Sequence, residues 1–310
     1  MSMHHTNIQG LLSEMPDRPK ELYSEGNDQL LFSKQHIYVC IVGPRKASAY
    51  GQDVVTYIIE HLRKMNVITV SGAAYGIDAL VHTLSIEHSI PTIAIPGSGI
   101  DDEVFYPRAH LDLKHKIIEN GGLIVNEFKP LVRASPWSFP VRNRLMAGMC
   151  HLTIVIEAEQ SSGTLITAHL ATDYGREVIA VPGSIYSPTS VGTHELINKG
   201  AAIFISLQTL TDTLTNIASN LGIELWKESV DIREESISVE HSPLSTSFAP
   251  ELGEKEKQIL ECVKSFTDGV TKEYISELLC IKSMDVSIYV TILELHGLVK
   301  ISLGKIYVKR

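Results

Sequence analysis

Cysteine is scarce in this chain: Cys40, Cys150, Cys262 and Cys280 are the four among 310 residues, and no two form a CxxC pair. Zinc ribbons and thioredoxin-type redox motifs are therefore excluded, and buried, reduced thiols are expected. The 13 histidines form no HxxxH or HExxH pattern. Asp78 and His82 stand at i, i+4 but lack a third ligand, so no metal is expected. A basic excess is also missing. The 27 Lys and Arg face 36 Asp and Glu, a formal charge of −9, which rules out a strongly basic chromatin-type protein but not a local basic patch. No apolar run approaches the roughly 18 residues that cross a bilayer, and no basic start leads into an apolar stretch. A cytoplasmic protein with no membrane attachment is the expectation. Two nucleotide signatures are absent as well. Gly97-Ser98-Gly99 runs into Ile100-Asp101-Asp102 without a third glycine, and there is no GxxxxGK[ST]. Neither NAD binding nor P-loop hydrolysis is expected, and no cofactor is.

What is present is core-forming material. Apolar residues reach 44% and charged ones 20%, too apolar for a disordered chain. At roughly 150 residues per domain, the length predicts about two domains. Residues 1–36 read as a lead-in punctuated by Pro16, Pro19 and Gly26. From Ile37 onward, short β-branched runs alternate with longer segments of helical period. The predicted strands are 37–42, 67–70, 91–95, 122–125, 152–156, 177–181 and 201–205. Helices are predicted near 50–65, 77–88, 108–119, 141–150, 164–174 and 192–199. Strands apolar on both faces and separated by helices imply a mainly parallel sheet covered on both sides. Right-handed crossovers then make 37–225 a doubly wound, Rossmann-like α/β domain. Residues 226–250 turn to charge, Ser, Thr and Pro and read as a linker. In 251–310, helices at 254–266, 271–280 and 283–297 precede strands at 298–302 and 305–309, the order of a small winged-helix domain. Its third helix is poorly charged for reading DNA, so packing on a protein is the plainer role.

Ligands of doubly wound sheets bind beyond the strands' carboxyl ends, so the turns there carry the functional signal. They read Gly43-Pro44-Arg45-Lys46, Ser71-Gly72-Ala73-Ala74-Tyr75-Gly76, Pro96-Gly97-Ser98-Gly99, Ser161-Ser162-Gly163-Thr164 and Pro182-Gly183-Ser184. Glycine lets the backbone approach a ligand, and helix N-terminal amides favour anions. Five such turns on one sheet edge point to a nucleotide or a long phosphate-bearing ligand. The densest segment is Trp137-Ser138-Phe139-Pro140-Val141-Arg142-Asn143-Arg144. From Lys129 to Arg144 there are four basic residues and no acidic one. An aromatic beside arginines at a helix start suits phosphate contacts with base stacking. The plainer alternative pairs the arginines with Glu127 or Glu157 and buries the rings. Arginines at i, i+2 project about 200° apart on a regular helix, so both reach one ligand only if the helix start is irregular.

These motifs, in order, resemble a known family. Val42-Gly43-x-Arg45, Ser71-Gly72-x-Ala74-x-Gly76-Ile77-Asp78 and Gly97-x-Gly99-x-Asp101 come first. Phe139-Pro140-x-Arg142-Asn143-Arg144, Ser162-Gly163-Thr164-Leu165-Ile166-Thr167-Ala168, Ala180-Val181-Pro182-Gly183 and Gly192-x-x-x-Leu196-Ile197 follow. Across about residues 16–210 the pattern is similar to the DNA-processing protein A family (DprA, also called Smf). That resemblance implies a single-stranded DNA-binding protein of natural transformation. Such a protein protects incoming strands, helps load a RecA-type recombinase and forms a homodimer through its Rossmann-like domain. It implies no enzyme. By position, Arg45, Phe139, Arg142 and Arg144 resemble the family's phosphate- and base-contacting group, with Gly43, Lys46 and Asn143 beside them. Ser162, Gly163 and Thr164 resemble its backbone-and-hydroxyl cradle. The chain departs from the family at Pro44, where serine is common, at Tyr75, where arginine is frequent, and at His194, where asparagine is usual.

Two other readings compete. Rossmann-like nucleotide phosphoribohydrolases carry a PGGxGTxxE turn, but here Thr167 takes the position of that glutamate, leaving no evident group to stabilise a ribosyl cation. Glu157 and Asp101 remain possible acids, although pairing with a helix N-terminus or an arginine is the commoner use. An adaptor that binds recombinase-like partners without DNA would fit the linker and the C-terminal unit, but not the basic arc.

Overall fold

The protein is described from a computed structural model. It describes residues 3–227 and, beyond them, 254–264, 266, 270–279, 281, 286, 289–290, 293, 298–302 and 305–308. The chain divides into two compact units, Met1–Asp231 and Ile232–Arg310.

The first unit is built on a nine-stranded sheet. Its strands are β1 (Met3–His5), β2 (Leu22–Gly26), β3 (Ile37–Val42), β4 (Val67–Ser71), β5 (Thr92–Ala94), β6 (Leu123–Asn126), β7 (Leu152–Val155), β8 (Glu177–Ala180) and β9 (Ala202–Ile203). They lie in the order β1-β2-β6-β5-β4-β3-β7-β8-β9, and every pair from β6 to β9 is parallel. Strand β3 shows why the sheet is covered twice. Ile37, Val39 and Ile41 point into one apolar layer and Tyr38, Cys40 and Val42 into the other, the period-2 alternation of a pleated strand. Helices α1 (Ala49–Leu62), α2 (Ile77–Glu87), α3 (Leu111–Glu119) and α7 (Leu207–Leu221) supply apolar residues to the Ile41 side. Helices α4 (Ser138–Met149), α5 (Gly163–Asp173) and α6 (Val191–Asn198) cover the Val42 side. The doubly wound, mainly parallel architecture read from the sequence is the one observed.

The lead-in contributes to the sheet: β2 pairs antiparallel with β6, and β1 with β2. An antiparallel strand needs no helical crossover, so the chain can close that edge with short polar-faced segments that carry no α/β alternation. Leu12, Met15 and Leu22 anchor the segment in the core under α4.

In the second unit, helices α8 (Glu254–Lys264) and α9 (Lys272–Leu279) accompany an antiparallel hairpin of β10 (Val299–Ser302) and β11 (Lys305–Val308). Ile259, Val263, Ile275, Val290, Leu293, Val299 and Ile306 form its core. The predicted linker beyond Lys227, most of the third helix at 283–297 and Cys280 lie outside the described residues.

Candidate nucleic-acid interface

The two halves of the sheet wind in opposite senses from β3, so β3 and β7 flank the topological switch point. A crevice opens there beyond their carboxyl ends. It is a cleft of about 280 Å³ lined by the turn after β3, the start of α4 and the turn into α5. Of the ten residues singled out in the sequence, eight line it: Gly43, Arg45, Phe139, Arg142, Asn143, Ser162, Gly163 and Thr164.

Arg142 forms the floor. It is 4% exposed; Nη1 donates to the Ile95 carbonyl at 2.7 Å and lies 4.0 Å from the Asp78 carboxylate. Its Nε–H has no partner, an unspent donor in a buried group. Burial pushes the Asp78 carboxyl up and the Arg142 guanidinium down, and the opposite charge of each works against the shift of the other. Asp78 also accepts from the Ala74 amide at 3.3 Å. The i, i+4 partner of Asp78 takes no part: His82 is buried with Nδ1 2.8 Å from Thr92 Oγ1, and burial lowers its pKa to about 3.

Above the floor, Arg45 is exposed, with its guanidinium 5.1 Å from the centroid of the Phe139 ring. Phe139 fits because Gly97 lacks a side chain: a Cβ there would come within 2.4 Å of the ring. The opposite wall is tied by short links. Asn143 Nδ2 donates to the Gly163 carbonyl at 3.1 Å, and Thr164 Oγ1 donates to the Gly43 carbonyl at 3.2 Å. Ser162 caps α5, its hydroxyl accepting from the Thr164 amide at 3.2 Å. Gly163 is exposed at that helix start.

Two expected residues fall elsewhere. Lys46 is exposed but outside the cleft lining. Arg144 turns away: its Nη2 donates to both oxygens of Glu127, at 2.6 and 2.5 Å, and its Nε lies 3.5 Å from the Asp17 carboxylate. The expectation that Arg142 and Arg144 share one ligand does not hold geometrically. Helix α4 is regular from Ser138, so two residues of separation carry Arg144 about 200° round it. Glu157 is likewise structural. It accepts from Ser48 Oγ and Thr189 Oγ1, each at 2.8 Å, at the N-terminus of α1. At the family departures, Pro44 lines the cleft, Tyr75 borders it from an adjoining recess, and His194 Nε2 lies 3.1 Å from the Gly183 carbonyl. The sequence reading missed Asp78, Met146 and Thr167 as lining residues, although Asp78 stood within a quoted motif. Among the described residues no group of three or more side chains could hold a metal ion.

A mainly parallel sheet with Arg45 and Arg142 in a cleft at its switch point defines an α/β protein of the doubly wound type. Comparison with known proteins carries this further. Residues 1–215 match the model of the family described as DNA recombination-mediator protein A, and the chain belongs to that family. The DNA processing protein DprA of Streptococcus pneumoniae is 42% identical over 64% of this chain and 67% of its own length. The protein of that name in Bacillus subtilis is 35% identical over 66% and 67%. Among solved structures, the S. pneumoniae protein superposes with a TM-score of 0.62 at 36% identity, covering 68% of this chain and 73% of that one. DNA processing protein A from Helicobacter pylori, described by its single-stranded DNA binding mode, gives 0.63 at 27% identity, over 70% and 96%.

Proposed function

We propose that the cleft binds single-stranded DNA. The observation that carries this reading is Arg142, buried at the switch point with an unpaired Nε–H, beneath the exposed Arg45. A phosphodiester seated there takes charge-assisted hydrogen bonds from the guanidiniums, and the Gly163 amide at the start of α5 adds a helix N-terminus. Gly43 lets the turn after β3 pack directly on α2, since a Cβ would strike Ile77 at 2.5 Å, and so sets that wall of the cleft. Phe139 offers a ring to a base, Asn143, Ser162 and Thr164 shape the cradle, and Lys46 adds charge at its margin. The single-strand binding described for the H. pylori relative supports the same use.

Within this reading the protein serves DNA uptake and recombination in the cytoplasm, guarding incoming strands and handing them to a RecA-type recombinase. It works as a homodimer of the α/β unit. Strand β9 ends the sheet with no neighbour on its outer side among the described residues, and Ile203 and Ile205 are exposed beside it. The helices and hairpin of the second unit fit a winged helix that meets a protein partner. No catalytic role is assigned: Asp78, the acid in the cleft lining, faces Arg142, and Thr167 stands where a phosphoribohydrolase would need a carboxylate.

A gel-shift comparison tests this. Single-stranded DNA is expected to bind, duplex weakly and mononucleotides hardly at all. Preferential binding of mononucleotides would overturn the reading in favour of a nucleotide enzyme.

A further inference from the structure

A second, smaller recess adjoins the cleft. Arg45, Ala74, Phe139 and Arg142 line both, and Tyr75 and Tyr106 line the recess alone. These rings are 43% and 41% exposed, yet both are held in place. Tyr75 meets His110 edge to face at 4.8 Å, and Tyr106 meets Phe139 in the same manner at 5.8 Å. The backbone beneath them is fixed too. The Tyr106 amide donates to Ser98 Oγ at 3.1 Å. Tyr75 precedes Gly76, whose φ of 74° and missing Cβ let the turn pass close to the Pro44 and Arg45 carbonyls.

We propose that Tyr75 and Tyr106 form a stacking subsite for an unpaired base of the nucleotide next to the phosphate held at Arg142. The proposal rests on the single-strand reading of the cleft and adds to the Phe139 ring a second contact that distinguishes strandedness. Phosphate contacts alone attract single strands and duplexes alike. A ring pair needs a base free of its own stack, and it accepts any base because every base has a π-face. Within a duplex the bases are paired and stacked inward, so the subsite stays empty.

The test uses the full chain and two fluorescein-labelled strands of equal length, oligodeoxythymidine and a strand with abasic sites throughout. Wild type is expected to prefer the thymidine strand. Replacing both tyrosines, Tyr75→Leu with Tyr106→Leu, should weaken that strand about tenfold and leave the abasic strand unchanged. Tyr75→Phe with Tyr106→Phe should restore the preference. Equal loss on both strands, or loss on neither, overturns the stacking subsite. Wild type binding both strands equally overturns it as well while leaving the phosphate cleft intact. Binding to neither strand overturns the single-strand reading itself.

Discussion

Gly72 and Arg142 compete for one volume: a β-carbon on Gly72 would lie 1.6 Å from Arg142 Nη1 and 2.6 Å from the Asp78 carboxylate. The glycine at the end of β4 is what allows a guanidinium to lie under the cleft. Gly72→Ala should push Arg142 off the floor and weaken single-strand binding about tenfold or more, the worth of a charge-assisted contact. Fluorescence anisotropy with a labelled strand reads the loss, and unchanged affinity would dismiss Arg142 as a ligand.

Arg45 and Arg144 are expected to separate binding from stability. Arg45 reaches solvent over a ring, so Arg45→Ala should weaken binding and leave the urea-unfolding midpoint in place. Arg144 is spent on Glu127 and Asp17, so Arg144→Ala should cost about 1–3 kcal/mol of stability and hardly change binding. The reverse pattern would mean that α4 is rotated relative to the cleft.

Phosphate contacts release counterions. With the Arg142 floor and the Arg45 rim engaging two or three phosphates, log affinity should fall with log salt at a slope of about −1.4 to −2.1, at about −0.7 per contact on a single strand. Titrations across a series of salt concentrations give the slope, and a flat line would remove the cations from the interface.

Acid should destabilise the fold through two histidines. In the unfolded chain an imidazole takes its proton near pH 6.5. In the folded chain burial holds His82 down to about 3 and His151 to about 4. Between those values the unfolded state binds more protons, so stability is full above about 6.5 and falls as the pH drops toward 4. By pH 4.5 each group accounts for about 2–3 kcal/mol. Urea unfolding of His82→Gln, which carries no titrating group, should show a drop between pH 7 and 4.5 smaller by about that amount.

The central fold was legible because burial on both faces writes itself into strand sequence. Ile37–Val42 and Leu152–Val155 are apolar runs, and the helices between them carry a 3.6-residue period. The opening strands were not legible. Met3–His5 and Leu22–Gly26 pair antiparallel at an edge, where one polar face is tolerated and no helix follows. Most of the cleft could be read from the glycine turns, since those turns occur where backbone must approach something. Arg144 was ambiguous in the sequence: the spacing of about 200° from Arg142 and the alternative of pairing with Glu127 were both legible, and only the regular start of α4 decides between them. Asp78 escaped as a lining residue because a buried acid announces itself only through the cation it faces.

The antiparallel edge also sets an order of events during synthesis. Ser24 lies opposite Val125, about a hundred residues later in the chain. At roughly 5–20 residues per second, the opening segment leaves the ribosome roughly 5–20 s before its partner exists. The Leu22–Gly26 strand therefore stays unpaired on its β6 side while the next four strands of the sheet are being made.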